Sequence, residues 1–188
     1  MNYYFKITLL LLLCSCKSVY NLTNRQRAYK TINETIYEIT QTQKDSVIYL
    51  FENSVPINLR LDKNFFTYSY LKEIYGKGGV IGVDSNKINT LLNEIDLKII
   101  NLDNDAKVQK WDTSQFNFPY KILNENIKNS IPNHKQNNLS IPLFVEDSYF
   151  FIYTDYDCGF ECGQGTIVIF KKVNGKWKEY ERLPIWVS

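Results

Sequence analysis

The sequence contains one histidine, one methionine and four cysteines among 188 residues, and this scarcity narrows the chemistry open to the chain. His134 would have to be the base of any Ser-His-Asp triad, yet neither a GxSxG turn nor a Cys-His signature accompanies it. A zinc site needs about four ligands, and His134, Cys158 and Cys162 supply only three once Cys14 and Cys16, which lie beside the amino-terminal apolar run, are set aside. The sequence therefore predicts neither a metal site nor another cofactor.

Runs of basic residues are also missing. The 22 lysines and arginines nearly balance the 20 acidic residues, so the formal net charge is only +2. Such a chain has no long-range positive field and no basic stripe that could follow phosphates, which excludes nucleic acid as a partner. The glycine-rich string at 76–79 has neither the GxGxxG spacing nor the GK[ST] ending of a phosphate loop, so it is interpreted as a turn.

No apolar run approaches the roughly 20 residues that a membrane-spanning helix needs. The run at 7–13 is short, follows Lys6 and precedes the small residue Ser15, a pattern typical of an export signal. The string LCSC at 13–16 resembles the lipobox of bacterial lipoproteins, in which a leucine stands three residues before the modified cysteine and a small residue precedes that cysteine.

The lipobox resemblance implies cleavage before Cys16 and a lipid-modified Cys16 at the new amino terminus. The expected organisation is a signal peptide over 1–15, a tether over 16–23 and a single domain over 24–188. Two or more acyl chains make a stable membrane anchor, because each buried methylene contributes about 0.8 kcal/mol. In lipoproteins of the Bacteroidota, acidic residues just after the lipidated cysteine tend to accompany display on the cell surface, whereas KSVY follows Cys16 here. The resemblance therefore implies the cell envelope, on the periplasmic face of the outer membrane.

The first part of the domain is predicted to be helical. Thr23 or Asn24 can cap a helix whose apolar positions recur every three or four residues, namely Ala28, Ile32, Ile36 and Ile39. A second helix is expected to follow Ser85, with one apolar face made of Ile88, Leu91, Leu92 and Ile95.

The middle of the chain gives weaker signals. Segments 46–52 and 55–61 are rich in β-branched and apolar residues and are predicted to form two strands of a hairpin. A short buried strand is expected over 97–102. Segment 62–77 fits the helical and the strand period equally, and 103–138 is expected to be an irregular connection that its aromatic residues pin to the core.

The last fifty residues are predicted to form four strands in series, over 140–146, 149–156, 166–173 and 176–186. Asn174-Gly175 is the strongest short-range hairpin signal, because a type I′ turn needs positive φ at both central residues. A two-residue loop would produce four cross-strand pairs: Val173 with Lys176, Lys172 with Trp177, Phe170 with Glu179, and Ile169 with Tyr180. The charged last strand is expected at a sheet edge, and the wholly apolar 149–153 at the centre.

These elements predict an α+β fold, with one or two helices packed on a mainly antiparallel sheet that ends in a four-strand meander.

The turn over 157–165 carries Cys158 and Cys162, and an isolated cysteine pair outside the cytoplasm is interpreted first as a disulfide. Redox chemistry is disfavoured because three residues separate the thiols. Calcium is disfavoured because Gly159 stands where an EF-hand loop has an oxygen ligand.

Several strings of the last fifty residues resemble a C-terminal module of exported Bacteroidota proteins: the cysteine turn CGFECGQG, NGKW at 174–177 and the closing WVS. The resemblance covers about the last quarter of the chain and implies no activity, ligand or catalytic residue.

The absence of a catalytic constellation favours a non-enzymatic envelope lipoprotein that binds an envelope protein or a small ligand. The candidate interaction loop consists of Asp155, Tyr156, Asp157, Phe160 and Glu161. An immunity lipoprotein that neutralises a toxin belongs to the same class. The alternative is an envelope hydrolase that uses the carboxylates of Asp155, Asp157 or Glu161.

Overall fold

A computed structural model describes residues 24–57, 86, 90, 108–124, 135–145, 147–159 and 162–187. The signal peptide, the tether, segment 62–77 and the predicted strand over 97–102 lie outside the described residues. The second predicted helix is described at Asn86 and Thr90, and both residues are helical.

Helix α1 spans residues 24–40, and its four predicted core positions are buried: Ala28, Ile32, Ile36 and Ile39. Burial extends further round the helix, because Tyr29, Thr31, Thr35 and Thr40 are also buried. The helix ends where Gln41 adopts a positive φ of 52°. The amide of Gln41 then donates to the Glu38 carbonyl and that of Thr42 to the Tyr37 carbonyl, which is the Schellman arrangement that satisfies the last carbonyls of a helix.

The sheet contains seven strands within the described residues. They are β1 (Ile48–Phe51), β2 (Tyr120–Leu123), β3 (Gln136–Leu139), β4 (Leu143–Val145), β5 (Tyr149–Gly159), β6 (Cys162–Val173) and β7 (Lys176–Val187). Their order is β2-β1-β3-β5-β6-β7, and β4 also pairs with β5. Among these strands there are two parallel pairs, β1 with β2 and β1 with β3, and the other pairs are antiparallel. The predicted α+β fold with a mostly antiparallel sheet and a C-terminal meander is confirmed.

The core between α1 and the sheet is centred on β5 and β6. Phe150 and Phe170 form a cross-strand pair, and their rings stack with centroids 4.6 Å apart and an interplanar angle of 5°. Trp177 meets the Phe150 ring edge-on at 4.9 Å. The opposite face of β5 is buried as well, since Phe151 is 1% exposed. The predicted central position of 149–153 is confirmed.

The predicted hairpin between 46–52 and 55–61 does not form. Strand β1 pairs with β2 on one side and with β3 on the other, so neither of its edges is open to the segment that follows it. The described residues of that segment, 55–57, are not in a strand, and the Val55 amide donates to the Leu139 carbonyl. Long-range parallel pairing therefore replaces the local hairpin.

Segment 103–138 is more regular than expected, because it contains β2 and the first three residues of β3. The anchoring role of its aromatic residues is confirmed for Trp111 and Phe118, which are buried in the core that faces α1. Tyr29 of α1 meets Trp111 edge-on at 6.1 Å, and its hydroxyl accepts a hydrogen bond of 2.6 Å from the Asp112 amide. These contacts fix the segment to the helix.

The last hairpin follows its turn signal, with φ of 51° at Asn174 and 77° at Gly175. Three of the four predicted pairs are confirmed: Val173 with Lys176, Lys172 with Trp177 and Phe170 with Glu179. The fourth is wrong, because a bulge inserts Tyr180 and Ile169 pairs with Glu181 instead. Strand β7 lies at the edge of the sheet, as its charges predicted.

Candidate functional site: a polar cavity beneath a hairpin

The side of the sheet that faces α1 changes from apolar to polar as β5 runs toward the cysteine turn. Phe150 and Ile152 belong to the core, whereas Thr154 and Tyr156 are the next residues on the same face. Strand β6 continues this polar row, because Thr166 pairs with Thr154 and Gln164 with Tyr156.

A cavity of about 10 Å³ lies where this polar row meets the C-terminal end of α1. We call it the polar cavity. Its walls come from α1 and the residue after it, from β5 and β6, and from the first part of β3 and the last strand. The lining residues are Ile39, Thr40, Gln41, Lys135, Asn137, Thr154, Tyr156, Gln164, Thr166 and Arg182.

Asn137 lines the polar cavity and is 1% exposed. Its side-chain Nδ2 donates to the backbone carbonyls of Tyr49 and Lys135, both at 3.1 Å. Its Oδ1 is fully buried and has no hydrogen-bond partner among the described residues. A buried acceptor of this kind is uncommon in folded proteins, because leaving it unsatisfied costs about 1–3 kcal/mol.

Lys135 lies at one side of the polar cavity. Its Nζ donates to the Thr40 carbonyl at the end of α1 at 3.1 Å and lies 4.0 Å from the centroid of the Tyr156 ring. Burial, and after it the positive charge of Arg182, lowers the pKa of Lys135 below its ordinary value. The ammonium therefore occupies a partly desolvated position where a further polar contact would stabilise it.

Arg182 also lines the polar cavity. Its Nη2 and Nη1 donate to the carbonyls of Glu38 and Ile39, at 2.7 and 3.2 Å, and the guanidinium also forms a bidentate pair with Glu179. Because a cation at a helix C-terminus meets the negative end of the helix dipole, this contact stabilises α1 as well as shaping the cavity.

The predicted interaction loop is largely a pair of strands. Asp155 and Tyr156 lie in the middle part of β5, paired with β3, and strand backbone continues through Asp157. Phe160 and Glu161 lie outside the described residues. Since Gly159 pairs with Cys162, only these two residues join β5 to β6.

Asp155 and Tyr156 point to opposite faces of the sheet. Tyr156 lines the polar cavity, whereas the Asp155 carboxylate accepts a hydrogen bond of 2.6 Å from the side-chain amide of its strand partner Asn138. The structure thus separates the predicted site residues: one contributes to a cavity and another to a cross-strand bond.

The side chains of Asp157 and Cys158 lie outside the described residues, so the disulfide between Cys158 and Cys162 stays a prediction. Across the hairpin, Cys162 pairs with Gly159, the residue that follows Cys158.

Lys135, Asn137 and Arg182 were not singled out from the sequence. Asn137 lies in segment 103–138, which is predicted to be irregular, and Arg182 lies in the charged last strand, which is predicted to form a sheet edge. The one available signal was the pair Thr154 and Thr166, which interrupts two strongly apolar strands with hydroxyl groups. His134 lies outside the described residues.

Comparison with protein-family models, curated proteins and solved structures found no match to this chain. Within the described ranges, no helix is long and apolar enough to cross a membrane. The same ranges contain no group of three or more His, Cys, Asp or Glu residues placed to hold a metal ion.

Proposed function

We propose that this chain is a lipid-anchored lipoprotein of the cell envelope, on the periplasmic face of the outer membrane, that binds a partner without catalysing a reaction. The observation that carries the binding role is the reach of the β5–β6 hairpin. Strand β3 pairs with β5 as far as Asp157, and β7 pairs with β6 as far as Gln164. Within the described residues, no pair with either neighbouring strand extends past these two positions, and we call residues 158–163 the hairpin tip.

The hairpin tip has features suited to recognition. Its stem is held on both sides by the sheet, so little ordering is needed when a partner binds. Phe160 and Glu161 are the two residues of its loop, and aromatic side chains are enriched at protein interfaces. The proposed partner is another envelope protein or a small ligand.

The lipid anchor rests on the LCSC string at 13–16. Replacing Cys16 by Ser should release the protein from membranes and abolish incorporation of a labelled fatty acid. Cys14→Ser is the matched control, because it removes a neighbouring thiol and leaves the modified position intact. If Cys16→Ser stays in the membrane fraction, the anchor assignment is wrong.

The binding role is tested by placing a photo-crosslinking residue at Phe160 in intact cells, with the same residue at Lys178 as the control. Lys178 is exposed on edge strand β7 and belongs to no part of the hairpin tip. We expect an adduct from position 160 that is missing from position 178. It should disappear when the flanking Glu161 is changed to Lys. Equal labelling from both positions would contradict a role for the tip.

Of the three carboxylates in the hydrolase alternative, only that of Asp155 has a described side chain, and its position does not favour catalysis. The Asp155 carboxylate accepts a hydrogen bond from the side-chain amide of Asn138. The next residue of the strand, Tyr156, lines the polar cavity, but it carries a phenol and no carboxylate. A general acid or base needs a carboxyl group within reach of a substrate in a cleft, and Asp155 lies on the sheet face away from the polar cavity. An immunity role stays within the proposed binding class, and a deletion strain grown with competing siblings would reveal it.

A further inference from the structure

We propose that the polar cavity is a binding site for one water molecule, which Asn137 Oδ1 and the Lys135 ammonium hold in place as a permanent part of the fold. The proposal is independent of the binding role of the hairpin tip. It rests on the orientation of one buried amide, on the groups that surround it and on the size of the space between them.

The orientation of the Asn137 amide is fixed by its neighbours. Two carbonyl oxygens, those of Tyr49 and Lys135, accept from Nδ2. Rotating the amide by half a turn would place Oδ1 against both carbonyls and remove two hydrogen bonds, so Nδ2 and Oδ1 cannot exchange. Oδ1 is therefore a buried acceptor without a protein partner among the described residues, in a side chain that lines the cavity.

The other groups on the cavity wall suit an occupant that both donates and accepts. The Lys135 ammonium has three N–H groups, one of which donates to the Thr40 carbonyl, so it can donate to an oxygen atom in the cavity. The buried residues Thr154 and Thr166 bring hydroxyl groups that can donate or accept. A water oxygen accepts from Lys135 while its hydrogen atoms reach Asn137 Oδ1 and a threonine hydroxyl.

The volume of the cavity fits a single water molecule. A volume of about 10 Å³ is close to the lower bound for one water molecule and too small for a larger organic group. An anion would meet Lys135 favourably but would place negative charge against Asn137 Oδ1. A metal cation would meet Asn137 favourably but would be repelled by Lys135 and Arg182. Water alone satisfies both sides.

Such a water would connect three separate parts of the chain: the end of α1, the start of β3 and the stem of the β5–β6 hairpin. Buried waters of this type make about three hydrogen bonds each and are costly to remove. The polar end of the core would then be closed by hydrogen bonds, in place of the side-chain packing that closes the end around Phe150.

The first test uses the unaltered full chain in detergent. A crystal structure at a resolution that shows ordered solvent should contain one water peak within hydrogen-bond distance of Asn137 Oδ1. Water-to-protein NMR cross-relaxation should show a long-lived contact to the side-chain amide of Asn137. Clear density with no peak, or a peak that belongs to an ion or an additive, would overturn the proposal.

The second test counts long-lived internal waters by magnetic relaxation dispersion. Asn137→Leu, which has a similar side-chain volume and no acceptor, should lower the count by one. Thr31→Val is the matched control, because Thr31 is buried in α1 and does not line the cavity, so its count should stay unchanged. An unchanged count in a folded Asn137→Leu chain would contradict the proposal. If that variant does not fold, the crystal structure of the unaltered chain decides.

Discussion

Arg182 of the last strand donates a hydrogen bond of 2.7 Å to the main-chain carbonyl of Glu38, which lies 144 positions earlier, in the last turn of α1. A second donation to Ile39 and a bidentate pair with Glu179 use most of the remaining guanidinium donors. One side chain therefore joins the first described helix to the last described strand. We therefore expect α1 and β7 to unfold together.

Replacing Arg182 by Ala should lower the free energy of unfolding by about 2 kcal/mol, because two helix carbonyls and Glu179 lose a charged donor. The side chain is 17% exposed, so solvent compensates only partly. Urea denaturation measures the change. The free energy of unfolding of Arg182→Lys should lie between those of the wild type and Arg182→Ala, because lysine keeps the positive charge but lacks the planar guanidinium that donates to several acceptors.

Lys178→Ala on the same strand is the control for this substitution. Lys178 is exposed, and surface substitutions of this kind usually change stability by less than about 0.5 kcal/mol. Equal effects of the two alanine variants would show that the contact with the helix contributes nothing measurable.

Gly175→Ala should destabilise the protein by about 1 kcal/mol, since Gly175 has a φ of 77° that a residue with a Cβ rarely adopts. The added methyl group would meet no atom within 4 Å, so the whole cost would come from the backbone. Gly175→Asn should cost less, because asparagine tolerates the left-handed region better than alanine. Thermal or urea unfolding compares the three proteins, and equal stability of all three would contradict a backbone origin.

The sequence was informative where structure is decided by neighbours in the chain. Asn174-Gly175 determined its own hairpin, and the spacing of Ala28, Ile32 and Ile36 determined the buried side of α1. Both signals come from backbone preference or from periodicity over a few residues, and neither depends on what lies across the molecule.

Long-range pairing could not be predicted in the same way. Strand β1 pairs in parallel with β2, 72 positions later at Ile48 and Tyr120, and no local pattern marks such a partner. The polar cavity depends on this topology, because Asn137 reaches Tyr49 only through the pairing of β1 with β3. The site was missed for that reason, although its threonines were visible in the sequence.

Phe150→Ala should lower the free energy of unfolding by roughly 3–5 kcal/mol, the range for removing a large aromatic side chain from a core. Phe150 is fully buried, stacks on Phe170 and meets Trp177 edge-on, so a cavity would remain on two sides. Phe150→Leu should cost less because it fills part of that space. Val173→Ala, at a residue 36% exposed, serves as the control. A Phe150→Ala cost as small as that of Val173→Ala would contradict the central role of the stack.

The pH dependence of stability should change in Glu38→Gln. Partial desolvation of the carboxyl group, and after it the negative charge of Glu179, raises the pKa of Glu38 above its usual value of 4.5, although Arg182 opposes this effect. A carboxyl group with a raised pKa holds its proton more tightly in the folded chain, so stability falls as the pH rises from 4.5 through the folded-state pKa. In Glu38→Gln, the free energy of unfolding should no longer decrease over this pH range. Unfolding curves at a series of pH values from 3 to 8 measure the difference, and parallel profiles would contradict the raised pKa.

The predicted disulfide between Cys158 and Cys162 should protect both thiols in the native protein, so a thiol reagent should label neither. Closing so small a ring stabilises by only about 2 kcal/mol on the chain-entropy argument. Cys158→Ser, reduction of the wild type and the double serine variant should therefore destabilise by similar amounts. Because both cysteines lie within the hairpin tip, loss of the disulfide should also lower the yield of the crosslink from position 160. Free thiols in the untreated protein would contradict the disulfide and leave strand pairing alone to hold the tip.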